Sequence, residues 1–162
     1  MSDVLVAYGS KYGATAGIAE AVGRALREAG LEVDVRRASD VRSFGGYRAV
    51  VLGSAVYTKR WRRDAMRLLR RKELVELPVW LFSSGPVGEV AEQQGWTRPK
   101  AVEQRAAAIG AREHVVFGGM VAEDRGFIRK KMARSMPAEL RDQRDWDEIA
   151  AWGRGIATTL QR

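Results

Sequence analysis

Apolar positions follow two rhythms along this chain. Val4-Leu5-Val6-Ala7-Tyr8, Ala49-Val50-Val51-Leu52, Val79-Trp80-Leu81-Phe82 and His114-Val115-Val116-Phe117 are short, mostly apolar runs. Runs of this length read as strands buried on both faces. Leu31-Glu32-Val33-Asp34-Val35 alternates instead, which suits a half-buried strand. Between these runs, apolar residues recur every three or four positions. Ile18, Val22, Ala25, Leu26 and Ala29 predict a helix that Gly30 stops. Met66, Leu69 and Leu74 predict the inner face of a second helix, ended by Pro78. Val102, Ala106 and Ile109 predict a third within 99–112. Trp146, Ile149, Trp152 and Ile156 form the stripe of a closing helix over 145–160, with Asp145 as N-cap and Glu148 three residues on. Residues 39–46 read as loop or a short turn, and 126–136 as a short helix. Strands alternating with amphipathic helices define an α/β fold: a doubly wound, five-stranded parallel sheet with helices on both faces. The 162 residues make one domain, with an irregular basic insertion around 119–144.

Composition removes several chemistries. The chain has no cysteine, which excludes disulfides, thiolate metal sites, iron–sulfur clusters and thiol nucleophiles. Its one histidine, His114, excludes a multi-histidine metal site and reads as structural. No apolar run approaches the roughly 20 residues of a membrane-spanning helix. The opening Met1-Ser2-Asp3-Val4 shows neither the basic nor the apolar region of a signal peptide. The expectation is a cytoplasmic protein.

Charge is uneven. The formal net charge is +8, and residues 59–72 hold eight basic residues against the single Asp64. Arg129, Lys130, Lys131 and Arg134 form a second cluster. Such a field attracts nucleic acid, anionic lipid or a small polyanion, unless it is simply a solvated helix face. No aromatic-interleaved RNA motif or helix-turn-helix pattern supports nucleic acid.

In a doubly wound sheet, ligands sit beyond the carboxyl ends of the strands. Four predicted strand ends carry small or hydroxyl residues: Gly9-Ser10, Gly53-Ser54, Ser83-Ser84-Gly85 and Gly118-Gly119. Together they leave room for something flat and large. The first loop, Ser10-Lys11-Tyr12-Gly13-Ala14-Thr15, leads into a helix, whose first N–H groups attract a phosphate. It is neither a Walker loop nor the G-x-G-x-x-G fingerprint. Its hydroxyl-x-x-Gly-x-hydroxyl pattern suits a terminal monoester phosphate, as in FMN.

With Ser10, Gly13 and Thr15 directly after strand one, the chain resembles the flavodoxin family. Tyr12 stands where that family often has threonine. Within the flavodoxin-like proteins it is similar to the menaquinone-dependent protoporphyrinogen dehydrogenases. The similarity rests on Val51-Leu52-Gly53-Ser54 followed by Tyr57-Thr58-Lys59-Arg60-Trp61, on the basic stretch 119–144, and on Asp145-Trp146. The resemblance implies strand order 2-1-3-4-5 and FMN as cofactor. It implies that Ser54, Ala55, Val56 and Tyr57 cover one face of the flavin. Ser84, Gly85, Pro86, Val87 and Gly88 would cover the other, with Gly119 beside them. Tyr57 is the candidate stacking partner and Trp61 the second choice; Trp80, Trp96, Trp146 and Trp152 read as core or cap packing.

Lys59, Arg60, Trp61 and Arg63, with Arg62, would then rim the flavin site and meet an anionic substrate such as a tetrapyrrole with two propionates. No catalytic side chain is demanded, because the flavin carries the chemistry. The leading expectation is an FMN oxidoreductase acting on protoporphyrinogen IX or a similar anion, with a quinone or redox protein as further partner. Contact with the inner face of the cell membrane through anionic lipid would accompany it. The alternative is a flavodoxin-like electron carrier with an acidic protein partner. An FMN enzyme for another substrate and a flavin-free nucleic-acid module follow.

Overall fold

The computed structural model describes residues 2–10, 13–85, 89–119 and 142–162. Five parallel strands form the sheet: β1 (Val4–Gly9), β2 (Val33–Arg37), β3 (Ala49–Tyr57), β5 (Val79–Gly85) and β6 (Glu113–Gly118), in the order β2-β1-β3-β5-β6. β4 (Arg60–Trp61) is a two-residue strand that turns back antiparallel on β3. With β4 set aside, the order is the expected 2-1-3-4-5. The helices are α1 (Ala14–Glu28), α2 (Arg63–Leu69), α3 (Glu89–Gln94), α4 (Lys100–Ile109) and α5 (Trp146–Leu160).

The apolar runs are explained by burial on both sides. Val4, Val6, Val51, Trp80 and Phe82 point into one core with Ile18, Val22 and Leu26 of α1 and Ile149 and Ile156 of α5. Leu5, Ala7, Val50, Leu52, Val79 and Leu81 point into the other, with Leu68 and Leu69 of α2 and Val102 and Ile109 of α4. β2 lies at the edge, where only Val33 is buried and exposure grows toward Arg37. On this strand Asp34 accepts hydrogen bonds from the Tyr47 hydroxyl at 2.6 Å and the Ser2 hydroxyl at 2.9 Å. These bonds, Tyr47's foremost, hold its carboxyl below the usual range.

Several boundaries differ from expectation. The second helix starts only at Arg63, because Lys59 to Arg62 belong to the β3–β4 hairpin and its exit. It ends at Leu69, and Leu74 is buried from a separate 3₁₀ turn, Lys72–Glu76. β3 and β5 run on through Tyr57 and Gly85, well past their apolar runs. The six-residue α3 has no stripe long enough to announce it. The expected helix at 126–136 lies outside the described residues, as does most of the insertion.

α5 begins as its sequence predicts: the Asp145 side chain accepts a hydrogen bond from the Glu148 N–H at 3.1 Å. Asp145→Ala should cost about 1 kcal/mol, read as a small drop in thermal midpoint. No helix among the described residues is long and apolar enough to cross a membrane.

Candidate functional site

The carboxyl ends of β1, β3 and β5 define the site. At the first, Gly13 caps α1 in the left-handed region with φ of 86°. Ser10 accepts a hydrogen bond from the Gly13 N–H at 3.0 Å, which closes the loop. A side-chain carbon on Gly13 would meet nothing within 4 Å, so the cradle is open there. No acidic residue occupies the first turn of α1 and no side chain caps it. Thr15 is buried, yet its hydroxyl has no hydrogen-bond partner among the described residues. Buried hydroxyls are seldom left so. Ser10, Gly13, Ala14 and Thr15 therefore fit a phosphate, which would supply acceptors to the hydroxyl and to the first-turn N–H groups. Lys11 and Tyr12 lie outside the described residues.

The second part is a slot between two loops. Val56, Thr58 and Lys59 on the β3–β4 hairpin face Trp96, after α3, across a cavity of about 300 Å³. Trp96 is 39% exposed and not a packing residue, contrary to expectation. Its place could be found only from the fold, since nothing in the sequence near residue 96 distinguishes it from a core tryptophan. Trp61 shows the reverse. It is buried at 6% and its indole N–H donates to the Ser83 hydroxyl at 2.8 Å. It therefore neither rims the site nor stacks on a ligand. Trp80 and Trp152 do pack in the core, whereas Trp146 is 45% exposed, with the Arg144 guanidinium 4.7 Å above its ring. Tyr57, half-buried at the end of β3, carries the Arg62 guanidinium 5.8 Å from its ring centroid.

Other expected contacts are redistributed. Ser54 is fully buried; its hydroxyl donates to the Ala55 carbonyl and accepts from the Arg62 N–H at 2.9 Å. It braces the hairpin from within. Ala55 and Val56 are half-buried beside it. Ser84 and Gly85 end β5, where Gly85 accepts from the Gly119 N–H at 3.0 Å and so joins the two loops. Pro86, Val87 and Gly88 lie outside the described residues. The small residues at the strand ends do not all make room for a ligand. A side-chain carbon on Gly53 would fall 2.2 Å from the Phe82 ring, and one on Gly118 would fall 2.1 Å from the Gln143 carbonyl oxygen. Those two glycines accommodate the protein itself.

Lys59, Arg60 and Arg63 are exposed on the hairpin and at the start of α2, with Arg67 and Arg70 further along. Among the described residues none of the five forms an ion pair. Of these, Lys59 lines the slot itself.

A phosphate cradle before α1 and a slot between the loops after β3 and β5 define a mononucleotide-binding protein of the doubly wound class. The family model described as a flavodoxin domain matches residues 5–147, and the chain belongs to the flavodoxin family. It is similar, at 29% identity over 169 positions, to a flavodoxin from Nitratidesulfovibrio vulgaris (strain DSM 19637 / Miyazaki F), covering 99% of this chain and 100% of that protein. Its fold is similar to that of oxidised flavodoxin 2 from Bacillus cereus, with 18% identity, 99% and 100% of the two chains covered, and a TM-score of 0.65. It is similar also to rubredoxin oxygen:oxidoreductase from Desulfovibrio gigas, with 15% identity, a TM-score of 0.66, and 99% of this chain but 36% of that one covered.

Flavodoxins bind FMN and carry electrons. The residues present fit that cofactor. Ser10, Gly13, Ala14 and Thr15 would hold its phosphate, and the slot between the hairpin and Trp96 would take its ring. When bound, the flavin supplies the redox chemistry, and the chain supplies position and field.

Proposed function

We propose that this chain is an FMN-bearing electron carrier whose redox partner is an acidic protein. The observation that carries this reading is the exposed cationic rim of Lys59, Arg60 and Arg63, none of which forms an ion pair among the described residues. Such a field raises the encounter rate with an anionic partner and repels a cationic one. Among the described residues, the cavity is lined by Val56, Thr58, Lys59 and Trp96.

The test compares two small oxidants of opposite charge. Reduced, FMN-loaded protein is mixed with ferricyanide or with hexaamminecobalt(III) at low ionic strength. Arg60→Glu with Arg63→Glu should slow ferricyanide by roughly tenfold or more and speed the cobalt complex. Added salt should shrink both differences. Equal effects on the two oxidants would contradict a steering role for the rim.

A second reading rests on the same rim. Arginine forks pair bidentately with carboxylates, so Arg60 and Arg63 also suit the two propionates of protoporphyrinogen IX. The flavodoxins among the relatives favour the carrier. Sustained oxidation of protoporphyrinogen IX by the FMN-loaded protein with a quinone acceptor would favour the dehydrogenase. The basic cluster at 129–134, on which contact with anionic lipid would rest, lies outside the described residues.

A further inference from the structure

Four side chains distant in sequence form one hydrogen-bonded line that begins at β4, the return strand of the hairpin. The Trp61 indole N–H donates to the Ser83 hydroxyl at 2.8 Å. Ser83 lies 2.7 Å from His114 Nε2, and His114 Nδ1 lies 2.7 Å from Glu103 Oε1. Arg98 closes the outer end, donating to Glu103 Oε1 at 3.2 Å and to the His114 carbonyl at 3.0 Å. The Trp61 ring also stands edge-on to the imidazole, with centroids 6.1 Å apart.

Donor counting assigns the protons. Nδ1 faces the Glu103 carboxylate and so carries a proton to donate; Ser83 accepts from Trp61, and among the described residues the acceptor within reach of its own hydroxyl proton is His114 Nε2. That nitrogen must then be a bare acceptor, and Nδ1–H donates to Glu103. The line is satisfied only with a neutral imidazole. The order Ser-His-Glu matches a hydrolytic triad, but Ser83 is fully buried and engaged by Trp61, so it is no nucleophile.

The line ends next to a strained turn. Val56 pairs with Trp61 and Tyr57 with Arg60, which leaves Thr58 and Lys59 as the two turn residues. Both lie in the left-handed region, with φ of 48° and 60°, and neither is glycine. Positive φ at both positions is the signature of a type I′ hairpin turn, and threonine and lysine adopt it only where surrounding contacts hold them. Thr58 and Lys59 line the slot. Trp61 stands two residues after Lys59 and is the buried anchor of this hairpin.

We propose that Ser83, His114 and Glu103 are positioning residues: they pin Trp61 and so hold the Thr58–Lys59 turn in the shape that receives the flavin ring. The proposal rests on the flavin reading above and adds what keeps its site in shape. It also makes the site sensitive to acid. The charged groups facing His114 are Glu103 from α4 and Arg98 before it; β4 and β5 present only the neutral Trp61 and Ser83. Burial holds the imidazole below its ordinary value, against the pull of Glu103. As pH falls below that ordinary value, the unfolded chain takes a proton that the fold refuses, so stability falls with pH. Once the buried imidazole is protonated, Nε2–H donates to Ser83 in its turn and the Ser83 hydroxyl proton is left without its acceptor, so the Ser83 rotamer that pins Trp61 is no longer favoured.

The experiment uses the full chain with two variants and two readouts, FMN affinity by titration and solvent exchange of the Trp61 indole N–H by NMR. Ser83→Ala should weaken FMN by roughly tenfold and speed indole exchange. His114→Gln places an untitratable acceptor near Nε2. It should keep FMN within about threefold at neutral pH, since the bond to Ser83 is retained. The ratio of wild-type to His114→Gln affinities, in which FMN's own phosphate titration cancels, should fall as the medium is acidified. Unchanged FMN affinity and indole exchange in folded Ser83→Ala would overturn the anchor. A ratio flat with pH would overturn the role of His114. A wild-type chain that retains no FMN would overturn the flavin reading and with it this consequence for the site; the indole signal would then judge the anchor alone.

Discussion

Gly13→Asp should leave a folded protein that no longer retains FMN. Aspartate is among the few residues that tolerate left-handed backbone, and a side chain at this position meets nothing within 4 Å. The fold therefore has little reason to change. The new carboxylate would stand in the phosphate cradle, beside the N–H groups that open α1. Like charges about 4 Å apart repel by roughly 4 kcal/mol at an effective dielectric near 20, so a loss of about a hundredfold is a conservative expectation. Gly13→Asn has the same shape without the charge and should lose about tenfold or less, since only repulsion separates the two variants. Flavin fluorescence titration reads both. Equal loss in the two would mean that backbone strain, and not a phosphate, decides the outcome at this position.

Gly53→Ala should give a large loss of stability. Its side-chain carbon would fall 2.2 to 2.3 Å from three atoms of the Phe82 ring. Phe82 is fully buried and cannot retreat, because the rings of Phe117 and Trp152 stand beside it, each with its centroid 6.1 Å away. Overpacking of this kind costs about 3 kcal/mol or more where the neighbours cannot give. In a chain of this size that lowers the thermal midpoint by roughly 6 to 12 °C. Phe82→Leu in the same background should recover part of the loss, since it removes the ring that the new methyl strikes. A double-mutant cycle with strictly additive losses would contradict the contact.

The sheet was legible because burial on both faces leaves a continuous apolar run, and Val4–Ala7, Ala49–Leu52 and Val79–Phe82 each show one. The phosphate loop was legible for another reason: its residues act locally, within one turn of α1. What the sequence concealed depends on contacts between distant segments. β3 continues through Gly53-Ser54-Ala55-Val56-Tyr57 because it pairs with β5 and β4, not because those residues favour strand. The hairpin stayed hidden because Thr58-Lys59 lacks the Asn-Gly or Asp-Gly signal of such turns. The basic run was continuous through it and read as one helix. Trp61 and Trp96 exchanged their expected places because a tryptophan's surroundings, and not its identity, decide whether it packs or lines a slot. Gly53 and Gly118 looked like space for a ligand, and that space is occupied by Phe82 and Gln143. The line from Trp61 to Glu103 joins four elements and leaves no spacing pattern to read.

The most direct measurement is the visible absorption spectrum of the purified chain after FMN is added and the protein is desalted. A carrier built on this cradle and slot keeps the flavin bands, at one FMN per chain, and loses them in Gly13→Asp. A colourless wild-type protein after desalting would contradict the account at its centre.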